Sequence, residues 1–208
     1  MNEMEAADPN RLNAKLEAAR LEPLGQEQIN QFNRYLDLIL KWNARTNLTS
    51  VRERDEIIDR HFLECILCAR ILPANIGSLL DLGSGAGLPG IPIAICRPDL
   101  QVTLAESQNK KAAFLNEAVR TLRINTRVYA GRAEDMELLF DAVTLRAVDK
   151  MPEAISLGIA QLRAKGMLVV MTSDSHEIEL ASLKTVVWQS TVRVPGTKHR
   201  IICLGNRD

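Results

Sequence analysis

The sequence predicts an α/β fold built on a seven-stranded, doubly wound sheet, and three observations support this prediction. The apolar run 79–82 passes directly into glycines at alternate positions, starting at Gly83, and a helix-compatible segment follows. This is typical of a strand, a tight turn and a helix start. From Ser78 onward, strand-like and helix-like segments alternate, as in sheets covered by helices. Two strand-like runs joined through Pro195-Gly196 end the chain, which predicts an antiparallel hairpin.

The first 76 residues are predicted to form a helical extension packed on the main domain, which covers residues 77–208. Helices are expected at 11–21, after Gly25, and from near Asp55 to Pro73. The second of them has apolar residues at the spacing of an amphipathic helix. A loop rich in Asn, Thr and Ser follows it at 41–50, where such side chains cap neighbouring backbone.

The main domain is predicted to alternate strands and helices. Strands are expected at 78–83, 100–106, 126–130, 142–145, 167–172, 186–194 and 201–204, with helices at about 109–122 and 153–163. Gly166 is taken to mark the start of the fifth strand. Ligands of such sheets bind beyond the carboxyl ends of the strands. The residues expected to meet there are Gly83, Glu106, Ala133 with Glu134, and Arg146.

Composition and charge limit the classes of function. The chain has 208 residues, 46% of them hydrophobic, which is enough for a full core. Its 26 basic and 26 acidic residues give a net charge of about zero, so contact with nucleic acid must come from local patches. No apolar run is long enough to span a bilayer, and residues 1–5 do not begin a signal peptide. We therefore expect a cytoplasmic protein with no membrane partner.

The cysteines are expected to be reduced residues of the core. Cys65 and Cys68 have a C-x-x-C spacing, but the second pair that a zinc ribbon needs is missing. Cys96 and Cys203 each stand alone in apolar surroundings. The sequence therefore predicts no metal site.

The glycine turn can be read in two registers that imply different cofactors. Counting from Gly85, residues 85–90 satisfy the dinucleotide pattern G-x-G-x-x-G. Glu106 then follows at roughly the 20-residue spacing of a ribose-binding acid. Counting from Gly83, the pattern becomes Asp81-x-Gly83-x-Gly85-x-Gly87, with an acid inside the strand end.

We favour the second register because of Asp81. A buried carboxylate at this position needs a partner, such as a cationic or amine-bearing ligand. The pattern resembles the first motif of Rossmann-like methyltransferases that use S-adenosylmethionine (SAM), which makes Asp81, Gly83, Gly85 and Gly87 candidate cofactor-binding residues. Glu106 would then accept hydrogen bonds from the ribose hydroxyls.

Several segments together carry a more specific resemblance. They are Lys41-Trp42-Asn43, Asn47-Leu48-Thr49-Ser50-Val51, Arg60-His61, Asp81-x-Gly83-Ser84-Gly85-x-Gly87-Leu88-Pro89-Gly90-Ile91-Pro92 and Arg97-Pro98. In this order and at this spacing they resemble the glucose-inhibited division protein B (GidB) family, from about Gln28 to the end of the chain. The resemblance implies a class I SAM-dependent methyltransferase that modifies N7 of a specific guanosine in 16S ribosomal RNA.

The resemblance also implies roles for individual residues in holding the cofactor. Gly83 and Leu88 match positions of the glycine turn that contact SAM. Ala133 and Glu134 match the pair that flanks the adenine, although Glu134 could instead be an exposed loop acid. Arg146 matches an arginine near both cofactor and substrate, with a structural ion pair as the alternative.

Basic residues near the expected site are candidates for binding RNA. Lys110 matches a family position that contacts phosphate, although it could belong to a solvated helix face. Lys198 and Arg200 lie in the expected terminal hairpin. Phosphate contacts of this kind weaken steeply with salt. The expected partner is 16S ribosomal RNA or the small ribosomal subunit, and the enzyme is expected to act as a monomer.

The chain departs from the family pattern at two points. The family's His-x-x-Asp-Ser is here His61-Phe62-Leu63-Glu64-Cys65, and Thr172-Ser173 stand where many members have lysine and glycine. The second change removes a cation at the rim of the site. His61 is expected to be a hydrogen-bonded packing residue rather than a catalytic base.

The expected chemistry does not need a catalytic base. Guanine N7 has a free lone pair and no proton, so methyl transfer requires alignment and exclusion of water. The segment 145–149 lacks the Asp/Asn-Pro-Pro-aromatic loop that accompanies methylation of exocyclic amines, and no cysteine lies in a loop suited to cytosine C5 methylation. Arg146 is therefore the candidate catalytic residue, expected to orient the guanine or a nearby phosphate.

Three other classes of function stay open. A methyltransferase of a small molecule would share the cofactor site. A dinucleotide-dependent oxidoreductase would use the register that starts at Gly85, and it would be stabilised by NAD rather than by SAM. A non-catalytic RNA-binding relative is the third class.

Overall fold

The computed structural model describes residues 10–147 and 150–208, apart from the side chains at 178 and 179. Within this part of the chain the strands are β1 (Ser78–Leu82), β2 (Gln101–Glu106), β3 (Thr126–Ala130), β4 (Phe140–Arg146), β5 (Leu162–Ser173), β6 (Val186–Arg193) and β7 (Arg200–Arg207). The helices are α1 (Arg11–Ala18), α2 (Gln26–Asn43), α3 (Arg54–Ile57), α4 (Leu63–Ile71), α5 (Gly90–Cys96), α6 (Asn109–Leu122), α7 (Met151–Ala160) and α8 (Glu177–Ala181). A π-helical turn, Ile58–Phe62, joins α3 to α4, and 3-10 turns lie at Ala133–Asp135 and Asp174–His176.

The strands form one sheet with the order β3-β2-β1-β4-β5-β7-β6. The first five strands of the chain pair in parallel, whereas β7 lies antiparallel between β5 and β6. The strand order reverses between β1 and β4, so the crevice at their carboxyl ends is where sheets of this class bind ligands. The predicted doubly wound α/β fold with a terminal hairpin is confirmed.

Most element boundaries agree with the sequence-based expectations, and the main difference concerns β5. This strand begins at Leu162, where the expectation had the end of a helix and placed the strand start at Gly166. Leu162 already pairs with Phe140, and the register shifts before Ala142 pairs with Met167. A local irregularity of this kind is not visible in the hydrophobic pattern.

The N-terminal helices share a core with the sheet. Phe32 and Tyr35 of α2 pack against Phe62, with ring centroids 5.1 Å and 5.5 Å apart. The same apolar cluster continues into α5 and into β1 and β2. The division at residues 76 and 77 stays a prediction, and residues 1–9 of the expected extension lie outside the described residues.

Candidate functional site

The glycine turn between β1 and α5 adopts a conformation that few side chains allow. Gly83, Gly85 and Gly87 have φ values of +70°, +60° and +84°, a region that glycine enters without a steric penalty. A Cβ atom at Gly87 would collide with Ile91 and lie 3.1 Å from the Tyr35 hydroxyl oxygen. A Cβ atom at Gly83 would meet nothing within 4 Å. The turn therefore has no room for a side chain at Gly87, whereas the space next to Gly83 is open.

Asp81 ties the glycine turn to the elements around it. Its side chain is 1% exposed, and Oδ2 accepts hydrogen bonds from the Ser84 hydroxyl at 2.5 Å and the Gly90 N–H at 3.1 Å. Oδ1 accepts from the Thr144 hydroxyl of β4 at 2.9 Å. Burial raises the pKa of Asp81, and these three donors oppose that effect. The expectation that Asp81 needs a ligand as its partner is therefore corrected, because donors of the protein already satisfy the carboxylate.

Glu106 holds the same turn from the end of β2. It is 6% exposed, its Oε2 accepts from the Gly85 N–H at 2.9 Å, and its Oε1 accepts from the Gln108 N–H at 2.8 Å. Each carboxylate oxygen can accept a second hydrogen bond. The geometry is thus compatible with the predicted contact to ribose hydroxyls.

The other predicted cofactor residues differ in their surroundings. Leu88 is buried in the large apolar cluster. Ala133 is also buried and begins the 3-10 turn after β3, where first-turn N–H groups have no partner within the turn. Glu134 is exposed, and it forms an ion pair with Arg132 at 3.0 Å. A hydrogen bond from its own N–H and the Arg132 guanidinium lower the pKa of Glu134.

Arg146, the last residue of β4, forms a buried ion pair with the N-terminal extension. Its side chain is 12% exposed and that of Glu64 in α4 is 6% exposed. Arg146 Nε donates to Glu64 Oε1 at 2.7 Å, and Nη2 donates to His61 Nδ1 at 2.8 Å. Arg146 therefore takes part in an ion pair, as in the alternative that the sequence left open, and its role as the catalytic residue stays a prediction.

Arg200 shares the same carboxylate from the other side. This first residue of β7 donates to Glu64 Oε2 and to the carbonyl oxygen of Arg60 at 2.6 Å. Glu64 thus bridges two guanidinium groups, one on the parallel part of the sheet and one on the hairpin. Because one carboxylate faces two guanidinium groups, removal of Glu64 would leave two positive charges without a counter-ion.

The Asn47-Leu48-Thr49 segment, which belongs to the family resemblance, lies against this cluster. Asn43, at the end of α2, donates to the carbonyl oxygens of Thr49 and Val51 at 2.9 and 3.0 Å. Its Oδ1 accepts from the Leu48 and Thr49 N–H groups at 3.0 and 3.2 Å. This folds the loop so that Thr49 Oγ1 lies 3.1 Å from His61 Nε2.

A cavity of about 270 Å³ opens beside Arg146 at the carboxyl ends of β4 and β5. Its lining includes Glu64, Arg146, Arg200, Met151, Met171 and Ser173. Thr172 and Ser173, the residues that stand where many relatives have lysine and glycine, lie here with His176. The His176 Nδ1 atom is 3.0 Å from Thr172 Oγ1 and 3.3 Å from Ser173 Oγ. The cavity therefore combines charged groups, hydroxyls and an apolar wall.

The predicted RNA-binding lysines lie at the same edge of the sheet. Lys110 is in the first turn of α6, directly after β2, and Lys198 is in the β6–β7 turn. That turn reaches the carboxyl edge because Arg200 pairs with Ser173, the last residue of β5. Both lysines are exposed, and neither has an ion pair within residues 10–147 and 150–208. Arg200 differs, because it is paired with Glu64, a carboxylate that it shares with Arg146.

The described part of the chain has neither a metal-binding cluster nor a membrane-spanning helix. No group of three or more His, Cys, Asp or Glu residues in this part is arranged to hold a metal ion. No helix in it is long and apolar enough to cross a membrane. Val148 and Asp149, which end the segment without the Asp/Asn-Pro-Pro motif, lie outside the described residues.

The glycine turn and its neighbours fit SAM. The space in front of Gly83 is open where a side chain would fill it. Glu106 keeps lone pairs for ribose hydroxyls after its two backbone contacts. The helix after the turn begins at Gly90. Because Gly83 and Gly85 have no side chains, a ligand can approach the backbone of the turn at these two positions.

Sequence reasoning missed some residues that build the site. It gave no role to Glu64 beyond a family departure, and it did not identify Ser84, Thr144 or Tyr35 as partners of the turn. Tyr35, fully buried in α2, donates to the Ala86 carbonyl oxygen. The only signal for His61 and Thr49 was their presence in motifs of the family resemblance.

A comparison with protein families and curated proteins gives one consistent result. The family model GidB, described as rRNA small subunit methyltransferase G, matches residues 28–200. The ribosomal RNA small subunit methyltransferase G of Xanthomonas euvesicatoria pv. vesicatoria (strain 85-10) is 43% identical over 169 residues. The match covers 78% of this chain and 79% of that protein.

Solved structures with the same fold are methyltransferases of distant sequence. A putative O-methyltransferase from Klebsiella pneumoniae superposes with a TM-score of 0.62 at 16% identity, over 94% of this chain and 95% of that chain. M. jannaschii TYW2 in complex with AdoMet gives a TM-score of 0.57 at 19% identity, over 70% and 75% of the two chains. At this identity the likeness concerns the fold alone.

Proposed function

Because the chain belongs to the GidB family, we propose that it transfers the methyl group of SAM to N7 of a guanosine in 16S ribosomal RNA. It is a SAM-dependent methyltransferase of ribosomal RNA. The observation that carries the proposal is the family match over residues 28–200, which includes the glycine turn, the His61 segment and Arg146. The family match does not name the methylated atom, so the assignment of N7 goes beyond it.

The residues around the glycine turn would hold the cofactor. SAM supplies an electrophilic methyl group on a positively charged sulfur when it is bound. The open side of Gly83 and the backbone of the turn would contact it, and Glu106 would accept hydrogen bonds from its ribose. The N–H groups at Ala133 and Glu134 are suited to the adenine. Asp81 would act indirectly, since it fixes the turn through Ser84 and Gly90.

The remaining task of the protein is to align the guanine. An N7 lone pair needs no base, so a site of this kind works by positioning and by excluding water. Arg146 ends β4, the strand that pairs with β1, and it lines the cavity beside β5, where its guanidinium can donate to the guanine O6 or to a phosphate oxygen. The apolar walls formed by Met151 and Met171 would exclude water from a base held there.

The RNA itself would bind across the carboxyl edge of the sheet. Lys110 and Lys198 lie at the two ends of this edge and are free to contact phosphates, with Arg200 between them. The net charge is about zero, so this local patch would supply the attraction. We propose a monomer that acts in the cytoplasm, without a metal ion, on the RNA or on the assembled small subunit.

The first experiment is methyl transfer from labelled SAM to small ribosomal subunits and to naked 16S RNA from cells that lack the enzyme. The label is then mapped by the strand cleavage that N7-methylguanosine permits. Label at one guanosine supports the proposal. Label elsewhere on the base contradicts the N7 assignment, and SAM binding without label on either RNA form favours a small-molecule substrate.

Arg146→Ala tests the role of the candidate catalytic residue. We expect turnover on RNA to fall by about 100-fold while SAM still binds, because an aligning contact to the substrate is lost. Arg127→Ala is the matched control, since Arg127 is exposed on β3 at the far edge of the sheet. Full turnover by Arg146→Ala would rule out the proposed role.

A further inference from the structure

The Arg146 guanidinium is held by two different groups of the N-terminal extension. Nε donates to Glu64 and Nη2 donates to His61. Within the described residues, Nη1 has no hydrogen-bond partner, and it is not among the fully buried polar atoms. Since the side chain lines the cavity beside β5, Nη1 is the nitrogen that remains available to a ligand there.

Glu64 alone cannot fix the orientation of this guanidinium. An arginine and a carboxylate usually gain a defined geometry from two parallel hydrogen bonds. Here only Oε1 of Glu64 contacts Arg146, because Oε2 is taken by Arg200. The second anchor of Arg146 therefore comes from the imidazole of His61.

The Nδ1 atom of His61 lies close to two groups with opposite requirements, the Arg146 guanidinium at 2.8 Å and the Arg60 carbonyl oxygen at 3.0 Å. An arginine only donates hydrogen bonds and a carbonyl oxygen only accepts them, so the Arg146 contact requires a lone pair on Nδ1 whereas the Arg60 contact requires a proton there. The Arg60 carbonyl oxygen already accepts from Arg200 at 2.6 Å, and the charged Arg146 donor is the closer of the two groups, so we assign the lone pair to Nδ1. The proton of the neutral ring is then on Nε2, where Thr49 Oγ1 accepts it at 3.1 Å. Burial and the adjacent Arg146 guanidinium lower the pKa of His61 to about 4, so the ring is neutral at ordinary pH.

We propose that His61 is a positioning residue for methyl transfer, with its Nδ1 lone pair, set by the Nε2–H bond to Thr49, orienting Arg146 so that Nη1 faces the substrate cavity. Thr49 is held in turn by the loop that Asn43 folds. The chain of contacts runs from α2 through the loop and the π-helical turn to the end of β4. The inference rests on the proposed role of Arg146 in orienting the substrate.

Two substitutions by uncharged residues test the contacts of the two ring nitrogens of His61 separately. His61→Asn puts a carbonyl oxygen near the position of Nδ1 and so keeps an acceptor for Arg146. His61→Gln puts its amide near the position of Nε2 and keeps the contact to Thr49 only. We expect His61→Gln to lower kcat on RNA by about 10-fold, the usual effect of losing one hydrogen bond to a charged group. His61→Asn should retain most of kcat, and the KM for SAM should change in neither variant.

The kcat values of the two variants, compared with each other, test the positioning role of His61. Equal losses in both would mean that His61 has only a packing role, and unchanged turnover in both would mean that Arg146 needs no second anchor. A larger loss in His61→Asn than in His61→Gln would also overturn the inference. Thermal unfolding of both variants identifies any loss that comes from misfolding, and it is compared before the kinetics are interpreted.

The tautomer gives a readout that does not depend on activity. The ¹⁵N chemical shifts of the His61 ring at neutral pH should show a protonated Nε2 and an unprotonated Nδ1. A proton on Nδ1 would contradict the inference. If the wild-type protein fails to methylate RNA, the proposed function fails and the tautomer still tests the geometry. If the wild-type protein methylates RNA but His61→Asn and His61→Gln do not differ in kcat, the positioning role of His61 is wrong and the proposed function still stands.

Discussion

At the scale of single residues, the acids expected to contact the ligand also hold the protein together. Asp81 accepts three hydrogen bonds from Ser84, Gly90 and Thr144, and Glu106 accepts two from backbone N–H groups. A buried carboxylate is costly unless such donors surround it. The side chains that mark the cofactor motif are thus the same ones that shape the turn before any ligand arrives.

His61 gives a residue-scale prediction on pH. The folded-state pKa is lowered to about 4, whereas an unfolded histidine titrates near 6.5, so the unfolded state takes up a proton first as the pH falls. Stability from the neutral ring is therefore complete above about pH 6.5 and is lost as the pH falls toward 4. Between about pH 7.5 and about pH 5 the wild type should lose about 2 kcal/mol more unfolding free energy than His61→Asn.

This difference is measured by urea unfolding at the two pH values. Taking the difference between the two proteins removes the contributions of Asp81 and of all other carboxyl groups. Parallel pH profiles for the two proteins would mean that the pKa of His61 is the same in the folded and unfolded states.

At the scale of elements, neighbouring elements hold the glycine turn in place on one side, and the other side, at Gly83, is open. Tyr35 of α2 binds the Ala86 carbonyl oxygen, and Glu106 of β2 binds the Gly85 N–H. No space remains behind Gly87, while nothing lies within 4 Å of a Cβ atom at Gly83. A turn with one free side is suited to a ligand because its backbone does not have to move when the ligand binds.

Gly83→Ala tests whether the ligand occupies the open side. A positive φ should cost the variant about 1 kcal/mol of stability. Gly196→Ala is the matched control, because Gly196 has a φ of +74° and is equally open. We expect similar losses of stability in both, while Gly83→Ala alone weakens SAM binding by about 10-fold or more in a calorimetric titration. Unchanged affinity would place the cofactor elsewhere.

At the scale of the whole molecule, the N-terminal helices contribute residues to the candidate site around Arg146. His61, Glu64 and Thr49 precede the main domain in sequence, yet they contact Arg146 at the end of β4 directly or through one another. The aromatic group of Phe32, Tyr35 and Phe62 belongs to the same apolar cluster as the sheet.

A shared core predicts one cooperative unfolding transition. Because α2 and the sheet bury the same apolar surface, neither part should unfold alone. Calorimetry should show a single thermal transition whose van't Hoff and calorimetric enthalpies agree. Two separate transitions would mean that residues before 77 form an independent unit.

The second whole-molecule prediction concerns RNA affinity and salt. Each of Lys110→Gln and Lys198→Gln should weaken RNA binding and reduce the slope of log K against log salt by about 1, since one phosphate contact is lost. Lys165→Gln is the control, because Lys165 is exposed near the start of β5, at the end of the strand that lies away from the carboxyl ends of the parallel strands. The measurement is a filter-binding titration at several salt concentrations. An unchanged slope in Lys110→Gln and Lys198→Gln would exclude them from the RNA surface.

The sequence by itself determined the fold class, the family and the position of the glycine turn. These depend on local properties: alternating strand and helix patterns, glycines that permit positive φ, and motif residues within a few positions of one another. The tertiary structure alone decided which side chains meet. Arg146 lies 82 residues from Glu64 and 85 from His61 along the chain, and Arg200 lies 136 from Glu64. Contacts over such separations follow from how helices pack on the sheet, and no local pattern records them.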